Sequence, residues 1–245
     1  MKTNFTTTMT KLSVNINKIA TLRNARGGNV PDLIQVAKDI QKFGAHGITI
    51  HPRPDERHVR YQDARDLKSV ITTEYNIEGN PLHNFIDLVL ECQPTQVTLV
   101  PDAIGAITSS AGWDTLKNQS YLSEVIQEFK RNNIRTSIFV DPIQAMIEGA
   151  QKTGTDRIEL YTEAFAHEFQ KGSSNAIKPY VEAASLAHEL GLGINAGHDL
   201  SLDNIQFFNQ NIPHLAEVSI GHALISEALY FGLDNVVNMY LQKLK

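Results

Sequence analysis

Short runs of aliphatic and β-branched residues recur along the chain, each closed by a polar side chain and followed by a helix-length stretch. Eight runs have the length and composition of buried strands: Leu12–Asn17, His46–His51, Ile71–Glu78, Gln96–Pro101, Arg135–Asp141, Arg157–Thr162, Leu192–His198 and Glu217–His222. Between them, apolar positions fall at helical spacing over Pro31–Phe43, Leu82–Glu91, Ser120–Asn132, Ile143–Thr153, Ala176–Leu190 and Ile225–Leu244. Stops such as Phe43-Gly44, Asn132-Asn133, Thr153-Gly154 and Leu190-Gly191 end several of these helices just before the next strand. Strands that alternate with helices pair in parallel through right-handed crossovers. Eight such units in 245 residues point to an α/β fold, a (β/α)8 TIM barrel with extra helices. An open doubly wound sheet fits less well, since no glycine-rich dinucleotide loop follows the first strand. Residues 12–245 read as one barrel catalytic domain and residues 1–11 as a disordered N-terminal extension, with Met9 a candidate start. The connections from Asp102 to Asn133 and from Glu163 to Gly191 each have room for a helix besides the barrel's own.

Composition narrows the partners. A net charge of −5 spread along the chain argues against a general nucleic-acid or membrane surface, and leaves room for small anionic ligands at local basic clusters. The single cysteine, Cys92, follows an apolar run and reads as a core thiol, so no disulfide forms within one chain. No apolar run approaches the roughly 20 residues that span a bilayer. The stretch Met1 to Thr8 lacks the apolar core of a signal peptide, and a cytoplasmic location is expected.

In a barrel the C-terminal strand ends converge on one mouth. Here those ends supply Asn15, Asn17, His51, Glu78, Asp102, Asp141, Glu159, His198 and His222. Two histidines and two glutamates around one pocket suit general acid–base catalysis on a carbonyl compound. A metal held by His51, His58, His198 and a carboxylate is the alternative, although the close His-x-His or His-x-x-x-His spacing of common sites is missing. No Gly-x-Ser-x-Gly elbow marks a serine nucleophile. Arg23 and Arg26 follow the first strand, and Arg53 and Arg57 the second, so a phosphorylated substrate is expected. The segments Asn195-Ala196-Gly197-His198 and Ser219-Ile220-Gly221-His222-Ala223 lead out of strands seven and eight, and the second opens a helix whose N-terminus suits phosphate.

At this point the residues resemble a known family. The segment Val14-Asn15-Ile16-Asn17-Lys18-Ile19-Ala20-Thr21-Leu22-Arg23-Asn24-Ala25-Arg26-Gly27 resembles the opening signature of the pyridoxine 5′-phosphate synthases. Gly47 to His51 with Arg57-His58, Asn76-Ile77-Glu78, Asn195 to His198 and Ile220 to Ala223 resemble its later blocks, in order and over nearly the whole chain. The resemblance implies a cytoplasmic homo-octamer that condenses 1-deoxy-D-xylulose 5-phosphate with 3-amino-2-oxopropyl phosphate, with no cofactor and no metal. It implies His51 and Glu78 as proton acceptors, His198 as proton donor, and Glu159 as the carboxylate that steadies charged intermediates. Asn15, Arg26, Gly221 and His222 would contact the amino ketone, and Arg53, His58 and Thr108 the deoxyxylulose phosphate.

Four departures stand out. Asn17-Lys18 replaces the family's usual Asp-His, the stretch from Asp102 to Gly112 has lost charge, Asp199 replaces a glycine beside the amino ketone, and Glu163 follows Thr162 where glycine is common. Lys18 is expected to supply the cationic contact of the missing histidine. The competing readings are a related aldolase or isomerase on another sugar phosphate and a non-catalytic phosphate-binding barrel. A Schiff-base aldolase needs a lysine at a mid-barrel strand end, and only Lys18 lies near a mouth.

Overall fold

All eight expected strands form, and seven of them stop one or two residues before the end of the apolar run. The computed structural model describes residues 9–102 and 111–245. Within these, β1 (Lys11–Asn15), β2 (Gly47–Ile50), β3 (Glu74–Gly79), β4 (Gln96–Leu99), β5 (Arg135–Val140), β6 (Arg157–Tyr161), β7 (Gly193–Gly197) and β8 (Leu215–Ile220) pair in parallel and in chain order. Pairing of β1 with β8, Ser13 opposite Ser219, closes the barrel. The early strand stops matter for function: Asn17, His51, His198 and His222, which end their runs, lie beyond the ladder at the mouth.

Side chains alternate across a strand, and the two faces here differ in chemistry. Leu12 and Val14, Ile48 and Ile50, Val97 and Leu99, and Ile158 and Leu160 face outward into the core beneath the helices. The alternate positions, Ser13, Thr49, Asn76, Thr98, Ser137, Glu159, Asn195 and Ser219, are buried and polar and fill the interior. Barrel interiors are ordinarily packed with branched apolar residues. At the base of this one, Lys11 and Arg135 bind Glu74 at 2.5 and 2.6 Å, and Arg157 donates to Asn195 at 3.0 Å.

The helices are α1 (Asn17–Asn24), α2 (Leu33–Lys42), α3 (Tyr61–Lys68), α4 (His83–Cys92), α5 (Gln119–Arg131), α6 (Gln144–Lys152), α7 (Glu163–Gln170), α8 (Lys178–Glu189), α9 (Ile205–Asn211), α10 (His222–Phe231) and α11 (Leu233–Lys243). Helix α2 shows the local logic. Asp32 caps it by accepting from the Ile34 and Gln35 amides, worth about 1 kcal/mol, while Leu33, Ala37 and Ile40 turn one face inward. The long connection after Glu163 holds the extra helix α7 and a 3₁₀ turn at Ser174–Ile177, as its length implied. Between Asp102 and Asn133 the described residues hold only α5.

Three expectations need correction. The first strand does not reach Asn17, because the Ile16 amide bonds to the Thr49 carbonyl and the chain turns at once into α1. Residues 10 and 11, expected to belong to a disordered extension, are part of the barrel: Lys11 lies in β1, and Thr10 is buried, donating to the Asn209 side chain at 2.7 Å and bonded to the Leu215 carbonyl at 3.0 Å. The last helical stretch is two helices, broken at Gly232, whose φ of 82° takes the chain out of helical geometry.

Candidate active site

A cavity of about 600 Å³ opens at the C-terminal ends of the strands. Its lining includes Asn15, Asn17, Lys18, His51, Arg53, His58, Glu78, Glu159, His198, Asp199, Gly221 and His222. Twelve of the fourteen expected site residues therefore share one chamber. Arg26 does not line it: it is exposed beyond the end of α1. Thr108 lies outside the described residues.

Asn17 fixes the first candidate base. Its side-chain oxygen accepts from the His51 amide at 2.9 Å, so the residue that opens α1 also ties down the end of β2. Burial takes the His51 imidazole well below its ordinary range, and Arg53, His58, His198 and Arg57 push the same way. A neutral imidazole at neutral pH is a competent proton acceptor.

Glu78 and Glu159 behave in the opposite sense. Burial pushes the Glu78 carboxyl up to about 8, with Asp102 and Glu217 adding repulsion. Its contacts are weak: Asn15 donates at 3.4 Å and Ser219 at 3.5 Å. Glu78 thus holds a proton at neutral pH, and acts as an acceptor only once that proton has been given up. Burial raises Glu159 well above its ordinary range too, with Glu78 the next cause. One Glu159 oxygen, Oε2, is buried without a hydrogen-bond partner. The other lies where a Cβ on Gly197 would sit, so a larger residue at that position would have to push the carboxylate aside.

His198 and Asp199 leave β7 with positive φ angles of 69° and 52°. The Thr162 hydroxyl anchors this turn through the Gly197 and His198 carbonyls, and Asn204 donates to the Asp199 carbonyl at 3.1 Å. The His198 ring packs 5.2 Å from Phe139 and 5.3 Å from Tyr161, between centroids. Burial lowers its pKa, against the pull of Asp199, Asp102 and Glu163. The Tyr161 hydroxyl donates to Glu163, and both line a second cavity of about 830 Å³ that shares Asp199 and His222 with the first.

Two phosphate-binding features line the same cavity as the acid–base groups. Gly221 is the N-cap of α10, whose first turn carries no side-chain cap and opens on the cavity. Backbone N–H groups at such a terminus favour an anion. On the neighbouring strand ends, after β1 and β2, stand Lys18, Arg53, Arg57 and His58, which line the same cavity. His58 Nδ1 accepts from the Val59 amide at 2.9 Å, which leaves Nε2 as the protonated nitrogen of the neutral ring. Burial, then Arg53 and Lys18, lower its pKa to about 4.

Arg23 is not a phosphate ligand. Its guanidinium is buried against Asp63 at 2.6 and 2.7 Å and reaches the His58 carbonyl at 3.3 Å. With Asn24, which donates to the same carbonyl at 2.8 Å, it pins the proline-bounded loop that presents Arg53 and His58. Asp63 lies 40 residues away in sequence, so nothing local announced this pairing. Tyr161, which the sequence analysis does not name, also lines the cavity; it sits two residues beyond the inward Glu159, and the period of two places it on the same face. Cys92 is buried, its thiol pushed up to about 11 by burial, in keeping with a core role. Among the described residues, no group of three or more His, Cys, Asp or Glu side chains is placed to hold a metal ion.

Comparison with known proteins gives a consistent set of relatives. Residues 12–245 match the family described as Pyridoxal phosphate biosynthesis protein PdxJ. A pyridoxine 5′-phosphate synthase of Flavobacterium johnsoniae is 84% identical over 237 residues, 97% of this chain and 100% of that protein. One from Porphyromonas gingivalis is 58% identical over 96% of this chain and 99% of its own length. Among solved structures, 3-keto-L-gulonate-6-phosphate decarboxylase from Vibrio cholerae superposes with a TM-score of 0.65 at 9% identity, covering 97% of this chain and 98% of that one. Tryptophan synthase from M. tuberculosis gives 0.66 at 10% identity, covering 97% and 94%. At those identities the likeness is one of fold.

Proposed function

The chain belongs to the pyridoxal phosphate biosynthesis (PdxJ) family and catalyses formation of pyridoxine 5′-phosphate, and we propose that it condenses 1-deoxy-D-xylulose 5-phosphate with 3-amino-2-oxopropyl phosphate by proton transfers among His51, Glu78 and His198. The observation that carries this reading is one chamber lined by buried His51, Glu78 and His198 together with the start of α10 and the basic residues Lys18, Arg53 and His58, with burial lowering the His51 pKa and raising that of Glu78. Gly221 and His222 at the start of α10, with Asn15, take the phosphate and carbonyl of the amino ketone. Arg53, His58 and Lys18 take the ketose phosphate. Two dianions held in register place amine and ketone together, so the condensation proceeds as an intramolecular event.

The substrate amine attacks the ketone itself, and no enzyme lysine is needed. His51 accepts a proton from the nitrogen, Glu78 gives its proton to the departing hydroxyl, and water leaves as the imine forms. The Glu78 carboxylate so produced is the acceptor for a later C–H proton. His198 returns a proton as the ring closes, and Glu159 lies beside the cationic intermediate. The reaction ends with pyridoxine 5′-phosphate, inorganic phosphate and water.

The same reading makes the protein a cytoplasmic homo-octamer. Exposed Leu22 and Val30, and Leu229, Tyr230 and Phe231 at the end of α10, are apolar surface that supports association. Among the described residues, no helix is long and apolar enough to cross a membrane.

Mixing purified protein with both phosphates and following product absorbance alongside free phosphate tests the substrates. Product formed in step with phosphate release is expected. Binding of both ligands by calorimetry without product would assign the site to a different ketose phosphate.

A further inference from the structure

Asp102 lies three residues past the end of β4 and sits against two groups assigned separate tasks. Its Oδ2 accepts from the Arg53 guanidinium, and the same oxygen lies 3.7 Å from His51 Nε2. The three side chains are 7–8% exposed, so little water competes for these contacts. The backbone there is held: Asn80 donates to the Asp102 carbonyl at 2.8 Å, and Pro101 precedes it. The carboxylate is therefore fixed at its root and has one oxygen between two donors. Arg53 holds that oxygen now, and His51 stands a few tenths of an ångström beyond hydrogen-bond reach.

We propose that Asp102 is a positioning residue that transfers its hydrogen bond from Arg53 to His51 Nε2 when a phosphate docks on Arg53. This rests on Arg53 being the ketose-phosphate ligand. An incoming dianion competes for the guanidinium and repels the carboxylate, and among the described residues the His51 Nε2–H, 3.7 Å from the same oxygen, is the donor placed to take it over. No bond is made or broken; one charge-assisted contact replaces another. Once made, the contact fixes the His51 tautomer with Nδ1 as acceptor and stabilises the imidazolium formed when Nδ1 takes a proton. His51 is otherwise faced by Arg53, His58, His198 and Arg57, all of which oppose its protonation. Substrate arrival would thus turn a weak base into a stronger one only when there is something to deprotonate.

The test compares two pH profiles. The acidic limb of kcat/KM reports His51 in the free enzyme, and that of kcat reports it in the complex. In the wild type the kcat limb is expected about one pH unit higher, and in Asp102→Asn the two limbs coincide with kcat lowered about tenfold. Histidine-labelled protein titrated by NMR, with 1-deoxy-D-xylulose 5-phosphate alone as the probe, gives the same readout directly. His51 should titrate higher with the ligand in the wild type and unchanged in Asp102→Asn, with the dissociation constant from calorimetry held within about threefold. Binding without a His51 response in the wild type overturns the transfer and leaves the phosphate reading standing; this arm needs no variant to fold. A response that persists in Asp102→Asn overturns the role of Asp102. Failure of the ligand to bind at all overturns both readings.

Discussion

Glu74 and Glu78 lie four residues apart on β3, inside the same barrel, and end in opposite states. Burial opposes ionisation of Glu74, yet hydrogen bonds from Lys11 and Arg135 outweigh it and hold the carboxyl down to about 2. Burial of Glu78 meets no cation, and the carboxyl rises to about 8. At the base of the barrel Glu74 is held between two cations, whereas toward the mouth Glu78 and Glu159 have no cationic partner among the described residues. A buried acid without a counter-charge costs stability, and it is also the kind of group that can hold and release a proton near neutral pH.

Glu78→Gln should break the comparison most sharply. Turnover falls roughly 10²–10⁴-fold, the usual worth of a general acid or base. Melting at pH 7 rises by a few degrees, because a group the folded state keeps from ionising has been removed. Turnover near the wild type would reduce Glu78 to a structural polar group. Arg135→Met should do the reverse at the floor. It leaves Glu74 with Lys11 as its one cation and lowers unfolding free energy by about 1–3 kcal/mol in urea titrations, while KM for both phosphates stays near the wild type.

The pH dependence of stability sharpens the contrast further. Glu74 has a depressed pKa, so its contribution is present above its ordinary 4.5 and is lost as pH falls toward about 2. Glu78 has a raised pKa, so its penalty is absent below 4.5 and grows as pH rises to about 8. Chemical denaturation across pH should show the acid loss disappear in Glu74→Gln and the alkaline-side decline shrink in Glu78→Gln. The smallest effect belongs to Lys18. Lys18→Ala should raise KM for the ketose phosphate about tenfold, the scale of one charge-assisted contact. Lys18→His should recover part of it, and no change in either variant would remove Lys18 from the phosphate site.

The strands were legible because each is a β-branched run ended by a polar residue, and the ends of those runs named the mouth. Helices α1, α3 and α9 were not. Helix α1 starts two residues past a strand with no side-chain cap, so Ile16 reads as a continuation of β1. Helix α3 buries only Ala64 and Leu67, and α9, Ile-Gln-Phe-Phe-Asn-Gln-Asn, has little helical propensity of its own. At the site, residue type and strand position identified the acid–base groups. What sequence hid was pairing: Arg23 looked like its neighbour Arg26, yet one is buried against Asp63 and the other lies on the surface. The doubly engaged Asp102 and the unpartnered oxygen of Glu159 likewise depend on distances across the barrel that no spacing along the chain encodes.

The bond between β1 and β8 has a consequence in time. Thr10 reaches Asn209 and Leu215, 199 and 205 residues further on, and Leu12 has no partner on that side until Val218 exists. During synthesis the growing sheet therefore carries two open edges, one on β1 and one on the newest strand, until almost the entire chain has left the ribosome. Contacts of such long separation form slowly, and open strand edges invite pairing with other chains. The catalytic chamber, roofed by residues from β1 and β8 alike, is thus assembled in the final moments of translation, and a nascent chain stopped short of Ile220 would be inactive and prone to aggregate.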